Sequence, residues 1–333
     1  MKPDDGNVGD GGLSRREFLE RSVKAGVTVS ATAALGFALH DDTPPTTPVR
    51  SRGETILDYR LKTPGPGMAI VTGRERAPMV QRALEGLGGL GRFVSAGDRV
   101  LVKPNVGFAI PPELGATSHP ELVGEVVRLC LAQGAAEVVV TDNPVNDAES
   151  CFRLTGIEEA VLAAGGKVIL PREDQFQVSG VPGGKLLREW PMLLGPFQGV
   201  DKVIGLCPAK DHVRSGATLT VKNWYGLLGG RRNLFHQRIH DVMLELAMLV
   251  RPTLVILDGV VTMMHNGPTG GTLADLKETR TMAAGTDPVA VDAFGVTLLG
   301  RSPRDLPWIR RAAAAGLGTP DYESLKPVRA DVG

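Results

Sequence analysis

From about residue 67 onward, short apolar runs alternate with stretches of helical periodicity. The runs at 68–72, 99–103, 137–142, 167–170, 202–207 and 253–258 are nearly continuous in Val, Ile, Leu and Ala, and each stops at Gly, Pro or Asp. Runs of this kind predict strands buried on both faces. Between them, the apolar positions at 78–87, 119–132, 157–164, 238–250, 289–299 and 306–315 fall on one side of a helix. Thr117, Ser118 and Pro120 supply a start signal for the second of these helices, and Gly165-Gly166 a stop for the third. A further strand is expected at 281–285. Residues 171–200 are rich in Gly and Pro and read as irregular, with room for a small hairpin. The alternation predicts an α/β fold with a mostly parallel sheet covered by helices on both faces. If the chain has two lobes, their junction falls near 171–200.

The first residues read differently. Ser14-Arg15-Arg16-Glu17-Phe18-Leu19 is followed by a weakly apolar stretch at 25–39 that is too short for a confident membrane span. This resembles a twin-arginine (Tat) signal, whose motif is Ser/Thr-Arg-Arg-x-Phe-Leu-Lys, with Glu20 in place of the lysine. Gly36 and Ala38 are small residues at the processing positions. The expected organisation is a signal at 1–38, a Pro-rich linker at 39–66 and one domain at 67–330. The resemblance implies export by the Tat machinery to the periplasm or another extracytoplasmic space. No permanent membrane span is expected, although an unprocessed signal would act as an anchor.

Composition narrows the function classes. Lys+Arg and Asp+Glu are both 37, so the chain lacks the basic excess of a general nucleic-acid binder. The three cysteines, Cys130, Cys151 and Cys207, form no Cys-x-x-Cys pair. No iron–sulfur cluster is therefore expected from this chain. There is no Gly-x-Gly-x-x-Gly opening a helix, no P-loop and no Gly-x-Ser-x-Gly.

In a parallel sheet, ligands bind beyond the carboxyl ends of the strands. The expected strand ends carry Lys103 and Asn105, Asp142, Lys210 and His212, and Asp258. Lysine is scarce, 11 against 26 arginines, yet Lys103 and Lys210 fall in these segments and Lys222 in the string Leu219 to Gly226 that follows. A compact ammonium there suits a carboxylate or phosphate, or a base or nucleophile once desolvated. The expected working cluster is Lys210, His212 and Lys222. Lys103, Asn105, His119, Asn223 and Arg231 are candidate anion contacts, with Gly226 to Arg232 as a backbone nest. His236 and His240, spaced i, i+4, and the strand-end acids Asp142 and Asp258 are candidate metal ligands. Each residue also has a plain structural reading: solvated lysines, a polar helix turn, capping acids. Asp287 is expected to cap a helix, and Asp292 to be the better functional candidate.

The strings Val100-Leu-Val-Lys103-Pro-Asn105, Ala116-Thr-Ser-His119-Pro-Glu121, Val139-Val-Thr-Asp142 and Cys207-Pro-Ala-Lys210-Asp-His212 resemble the domain of unknown function 362 family. So do Leu219-Thr-Val-Lys222-Asn223-Trp-Tyr-Gly226, Leu257-Asp258-Gly259 with His265-Asn266-Gly267-Pro268, and Thr286-Asp287-Pro288-Val-Ala-Val-Asp292-Ala293, all in family order. Many members carry ferredoxin-type Cys clusters, which this chain lacks. More faintly, the chain is similar to nickel-pincer lactate racemases, which place a His ten residues before a cofactor-bearing Lys. Here His212 precedes Lys222 by ten, although 218–221 lacks the racemase Gly-Gly run. The expected function is an exported enzyme acting on a small anionic substrate through a Lys/His cluster. The cofactor is unknown, and a metal ion is one candidate. The alternatives are a non-catalytic envelope protein that binds an anion or metal, and a redox accessory protein without its own cluster.

Overall fold

The computed structural model describes Arg16, residues 53–62 and residues 65–333. Apart from Arg16, the expected export signal lies outside the described residues. In chain order the elements are β1 (Leu57–Asp58), β2 (Met68–Thr72), α1 (Arg76–Gly86), β3 (Arg99–Lys103), α2 (Pro120–Ala132) and β4 (Glu137–Val140). Next come α3 (Ala148–Leu154), α4 (Ile157–Ala163), β5 (Lys167–Val168), β6 (Phe176–Ser179), β7 (Trp190–Leu193), β8 (Lys202–Lys210) and the one-turn helix α5 (Thr220–Asn223). The chain continues through α6 (Ile239–Leu249), β9 (Val250–Arg251), β10 (Leu254–Met263), β11 (Leu276–Gly285), α7 (Pro288–Leu298), α8 (Pro307–Ala314) and β12 (Val328–Asp331).

Eight strands form the main sheet in the order β12-β2-β11-β10-β8-β3-β4-β5. Only β11 runs against the rest, pairing antiparallel with β10 and with β2. The apolar runs are continuous because both faces are covered. Val100, Val102, Ile204, Leu206, Leu254 and Ile256 point into one core with residues of α1 to α4. Leu101, Val203, Val255 and Leu257 point into the other, with residues of α5 to α8. Alternate positions on one strand thus serve opposite layers.

β6 and β7 form the small antiparallel hairpin within 171–200. It belongs to the same compact unit as the rest of residues 65–333. The end of the expected linker is also built into the domain. β1 pairs parallel with β9, Thr55 N donates to Gly180 O at 2.8 Å, and Ser179 Oγ donates to Gly53 O at 2.8 Å.

The topology fixes where a ligand belongs. From β3 the chain steps outward to β4 and β5, whereas from β8 it steps the other way to β10. β3 and β8 are neighbours, with Lys103 in register with Gly205. The crevice beyond their carboxyl ends is the switch point of the sheet.

Candidate functional site

A cleft of about 450 Å³ opens at that switch point, and its lining includes Asn105, Asp142, Lys210, His212, Lys222, Asn223, Arg232 and His236. β3 and β8 deliver Lys103 and Lys210 from below. α5 delivers Lys222 and Asn223 from the side. Four residues make a short helix here because both its ends are held. Asp292 of α7 accepts hydrogen bonds from Thr220 N at 2.7 Å, Thr220 Oγ1 at 2.5 Å and Val221 N at 3.0 Å. At the other end, the buried Trp224 ring lies against Gly205, where a side chain would stand 2.9 Å from it.

The three lysines have different partners. Lys103 is fully buried. Its Nζ lies 2.7 Å from Asp142 Oδ1 and donates to Asn223 Oδ1 at 3.0 Å and Pro104 O at 2.8 Å. Asp142 also accepts the Val106 and Asn143 N–H groups. Gly226 passes so close that a Cβ there would stand 2.2 Å from Asp142 Oδ1. Burial lowers the Lys103 pKa, and the Asp142 charge opposes this. Lys103 is thus a charge-balanced floor strut.

Lys210 has no carboxylate. It donates to the Ala116 carbonyl, to Asn105 Oδ1 at 3.2 Å and to Pro268 O at 3.2 Å, and sits over the Phe108 ring. Lys222 is 9% exposed. Among the described residues its ammonium meets no acceptor, only the face of the Tyr225 ring at 5.2 Å. Loss of water pulls Lys210 down to about 8 and Lys222 to about 7, with the Lys210 charge the second cause for Lys222. Among the described residues neither lysine is ion-paired, although the Asp142 charge favours the Lys210 ammonium. The one carboxylate in the cleft lining, Asp142, is committed to Lys103.

His212 Nδ1 accepts the N–H groups of Arg214 and Ser215 at 3.1 and 3.2 Å. This leaves the proton of the neutral ring on Nε2. Burial, then the Lys222 charge, pushes its pKa down to about 2, so the ring stays neutral. His236 stacks on His212 with ring centroids 5.6 Å apart, and its Nδ1 lies 3.2 Å from the Tyr225 hydroxyl.

Of the residues expected from the sequence, Lys210, His212, Lys222, Lys103, Asn105, Asn223, Asp142 and His236 come together here. Others do not. Asp258 faces the opposite side of the sheet, where its Oδ2 takes the Arg76 guanidinium at 2.6 Å. His119 lies there too, lining a separate cavity of about 90 Å³ with Arg76 and Asp258. Arg231 is exposed, and its neighbour Arg232 enters the wall instead. There Arg232 clamps the carbonyls of Asn143, Pro144 and Leu228. His236 and His240 do not share one α-helix. His236 lies in the 3-10 turn Arg232–Arg238, His240 in α6, where the Arg311 and Asp241 charges act on it. The four expected metal ligands therefore assemble no donor set, and among the described residues no three His, Cys, Asp or Glu side chains are placed to hold a metal ion. Asp287 caps α7 as expected, accepting Val289 N and Ala290 N. Tyr225, Phe108 and Phe176 were not legible as site residues, and Arg232 was expected only as part of the Gly226 to Arg232 nest. The only sequence signal for Tyr225 was its closeness to Lys222.

A cationic cleft thus lies at the switch point of a mostly parallel α/β sheet. The chain belongs to the domain of unknown function 362 family, whose model matches residues 100–297. A thylakoid-associated protein of Synechocystis sp. is 27% identical over 253 residues, covering 74% of this chain and 76% of that one. Among solved structures, the lactate racemase apoprotein from Thermoanaerobacterium thermosaccharolyticum is similar with a TM-score of 0.41 at 11% identity, over 73% of this chain. A Thermotoga maritima protein gives 0.33 at 10% identity, also over 73% of this chain. This chain spans 58% and 60% of those two chains. Among the described residues, no helix is long and apolar enough to cross a membrane.

Proposed function

We propose that the chain is an enzyme that binds a small organic anion, a carboxylate or phosphate, and moves a proton beside it. The observation that carries this is the isolated Lys222 ammonium, held by α5 in a cleft with a second lysine, Lys210. In the proposed roles Lys210 holds the anion and His212 donates its Nε2–H to a substrate oxygen. Lys222, near neutral at physiological pH, takes and returns the proton. No step is routed through a metal. The test is exchange of the C2 hydrogen of 2-hydroxycarboxylates in deuterated water, followed by NMR. The wild type is expected to exchange, and Lys222→Ala to lose exchange by at least a hundredfold. Unchanged exchange in that variant overturns the assignment. A thermal shift with these anions but no exchange in the wild type selects the non-catalytic binding protein instead.

We also propose that the chain works outside the cytoplasm. The twin-arginine string at residues 14–19 and the thylakoid association of the Synechocystis relative support this reading. A reporter fused behind residues 1–66 should be exported, and Arg15→Lys with Arg16→Lys should stop it. Export that survives the double substitution rules out the Tat route.

A further inference from the structure

We infer that the ligand of the cleft is an amphiphilic anion, a carboxylate or phosphate head on an apolar body that reaches the mouth. The inference rests on the reading that Lys210, His212 and Lys222 hold an anion, and it names the class of that anion. Size is the first argument. The cleft offers about 450 Å³. At about 30 Å³ of liquid volume per water-sized group, a bare carboxylate or phosphate head fills on the order of 100 Å³. Clefts of this volume take ligands well beyond a two- or three-carbon acid.

The second argument is the make-up of the lining. Lys210, His212 and Lys222 are joined by apolar side chains, and the Phe108 ring lies 5.3 Å from the Lys210 ammonium. The walls bring Phe108, Phe176, Val145 and Leu228. The Phe176 ring packs against Gly229, where a Cβ would meet it at 2.7 Å. A ligand that was charged throughout would leave these walls unused.

The third argument is the mouth. Val145 lines the cleft and is 67% exposed. An exposed aliphatic side chain in the lining carries the apolar wall out to solvent. The head is held by charge and the body by burial, so the two parts of the ligand can be tested separately.

The experiment is calorimetric titration of the full chain with straight-chain carboxylates from acetate to octanoate, below their micelle concentrations. Phosphatidylcholine vesicles with and without phosphatidylglycerol form a second arm. Affinity is expected to rise about fourfold per methylene until the tail clears the rim. Val145→Ser, at an exposed position of the lining and so compatible with folding, should flatten that rise. Equal affinity for acetate and octanoate overturns the inference but leaves the anion cleft standing. No binding of any carboxylate or vesicle overturns both. Binding to phosphatidylglycerol vesicles without binding to soluble carboxylates assigns the cleft to a bilayer surface and overturns the free amphiphile.

Discussion

Asp292 holds Lys222 in place without touching it. Its carboxylate takes the Thr220 and Val221 N–H groups and the Thr220 hydroxyl, and two residues further along the same turn is the amine of the cleft. Burial raises Asp292 to about 7 against those hydrogen bonds. Asp292→Ala should strand two buried N–H groups and lower stability by about 2–3 kcal/mol. A urea titration with unchanged slope checks this. Anion affinity should fall with it, because the helix that presents Lys222 loses its anchor.

The paired and unpaired lysines give a pH signature. Lys210 and Lys222 titrate at about 8 and about 7 when folded, below the ordinary lysine value of 10.5. Between those values the unfolded chain binds more protons than the native one, so these two groups make stability rise with pH from about 7 to about 10. Their contribution is lost as pH falls through 8 and 7. Melting curves across that range should show the rise, on the order of a few kcal/mol, and Lys222→Met should remove part of it.

An anion in the cleft reverses the preference of Lys210, which holds it, and favours that ammonium ion. Binding should therefore draw protons from the buffer at pH 8 to 9 and far fewer at pH 6, and affinity should weaken as pH rises through 8. Titrations with inorganic phosphate in buffers of different ionisation enthalpy read the proton uptake directly. Equal heats in all buffers at pH 8.5 would show that Lys210 stays charged without a ligand.

Lys103 and Asp142 behave as a unit. Asp142→Asn leaves a buried ammonium without its counter-charge and should cost about 3–5 kcal/mol. Lys103→Met combined with Asp142→Asn removes both charges and should be less destabilised than Asp142→Asn alone. A double-mutant cycle by urea unfolding measures the coupling.

Gly226→Ala tests the roof over that pair. Its methyl group would stand 2.2 Å from Asp142 Oδ1 and 3.0 Å from Lys103 Nζ. The variant should lose about 1–3 kcal/mol or more. A fully stable Gly226→Ala would show that the backbone can lift away from the ion pair.

The strand–helix alternation was legible because parallel strands buried on both sides must be apolar throughout, as in Val100-Leu101-Val102. The lysines were legible because few others compete for notice. Pairing partners were not. Nothing local in residues 276–285 says that β11 runs backwards between β2 and β10, and the expected strand there covered only its second half. β12 at one edge and the short helix α3 were missed for the same reason, since neighbours rather than their own patterns define them. Strand-end position alone also cannot choose a face. Lys103 follows the parity of Leu101 into the cleft, whereas Asp258 follows Ile256 to the other side and meets Arg76. His236 and His240 matched a spacing that holds only on a continuous α-helix, and the 3-10 turn ends between them.

The strand order has a consequence for how the protein is made. β2 is the first strand of the large sheet to leave the ribosome, yet its neighbours are β11 and β12, with Thr72 opposite Thr281 and Asp331. Until synthesis reaches those residues, both edges of β2 stay unpaired, and the nascent chain must keep them from other strands. Contacts so distant in sequence also slow folding. The large sheet is complete only once β12 has been made and has reached β2.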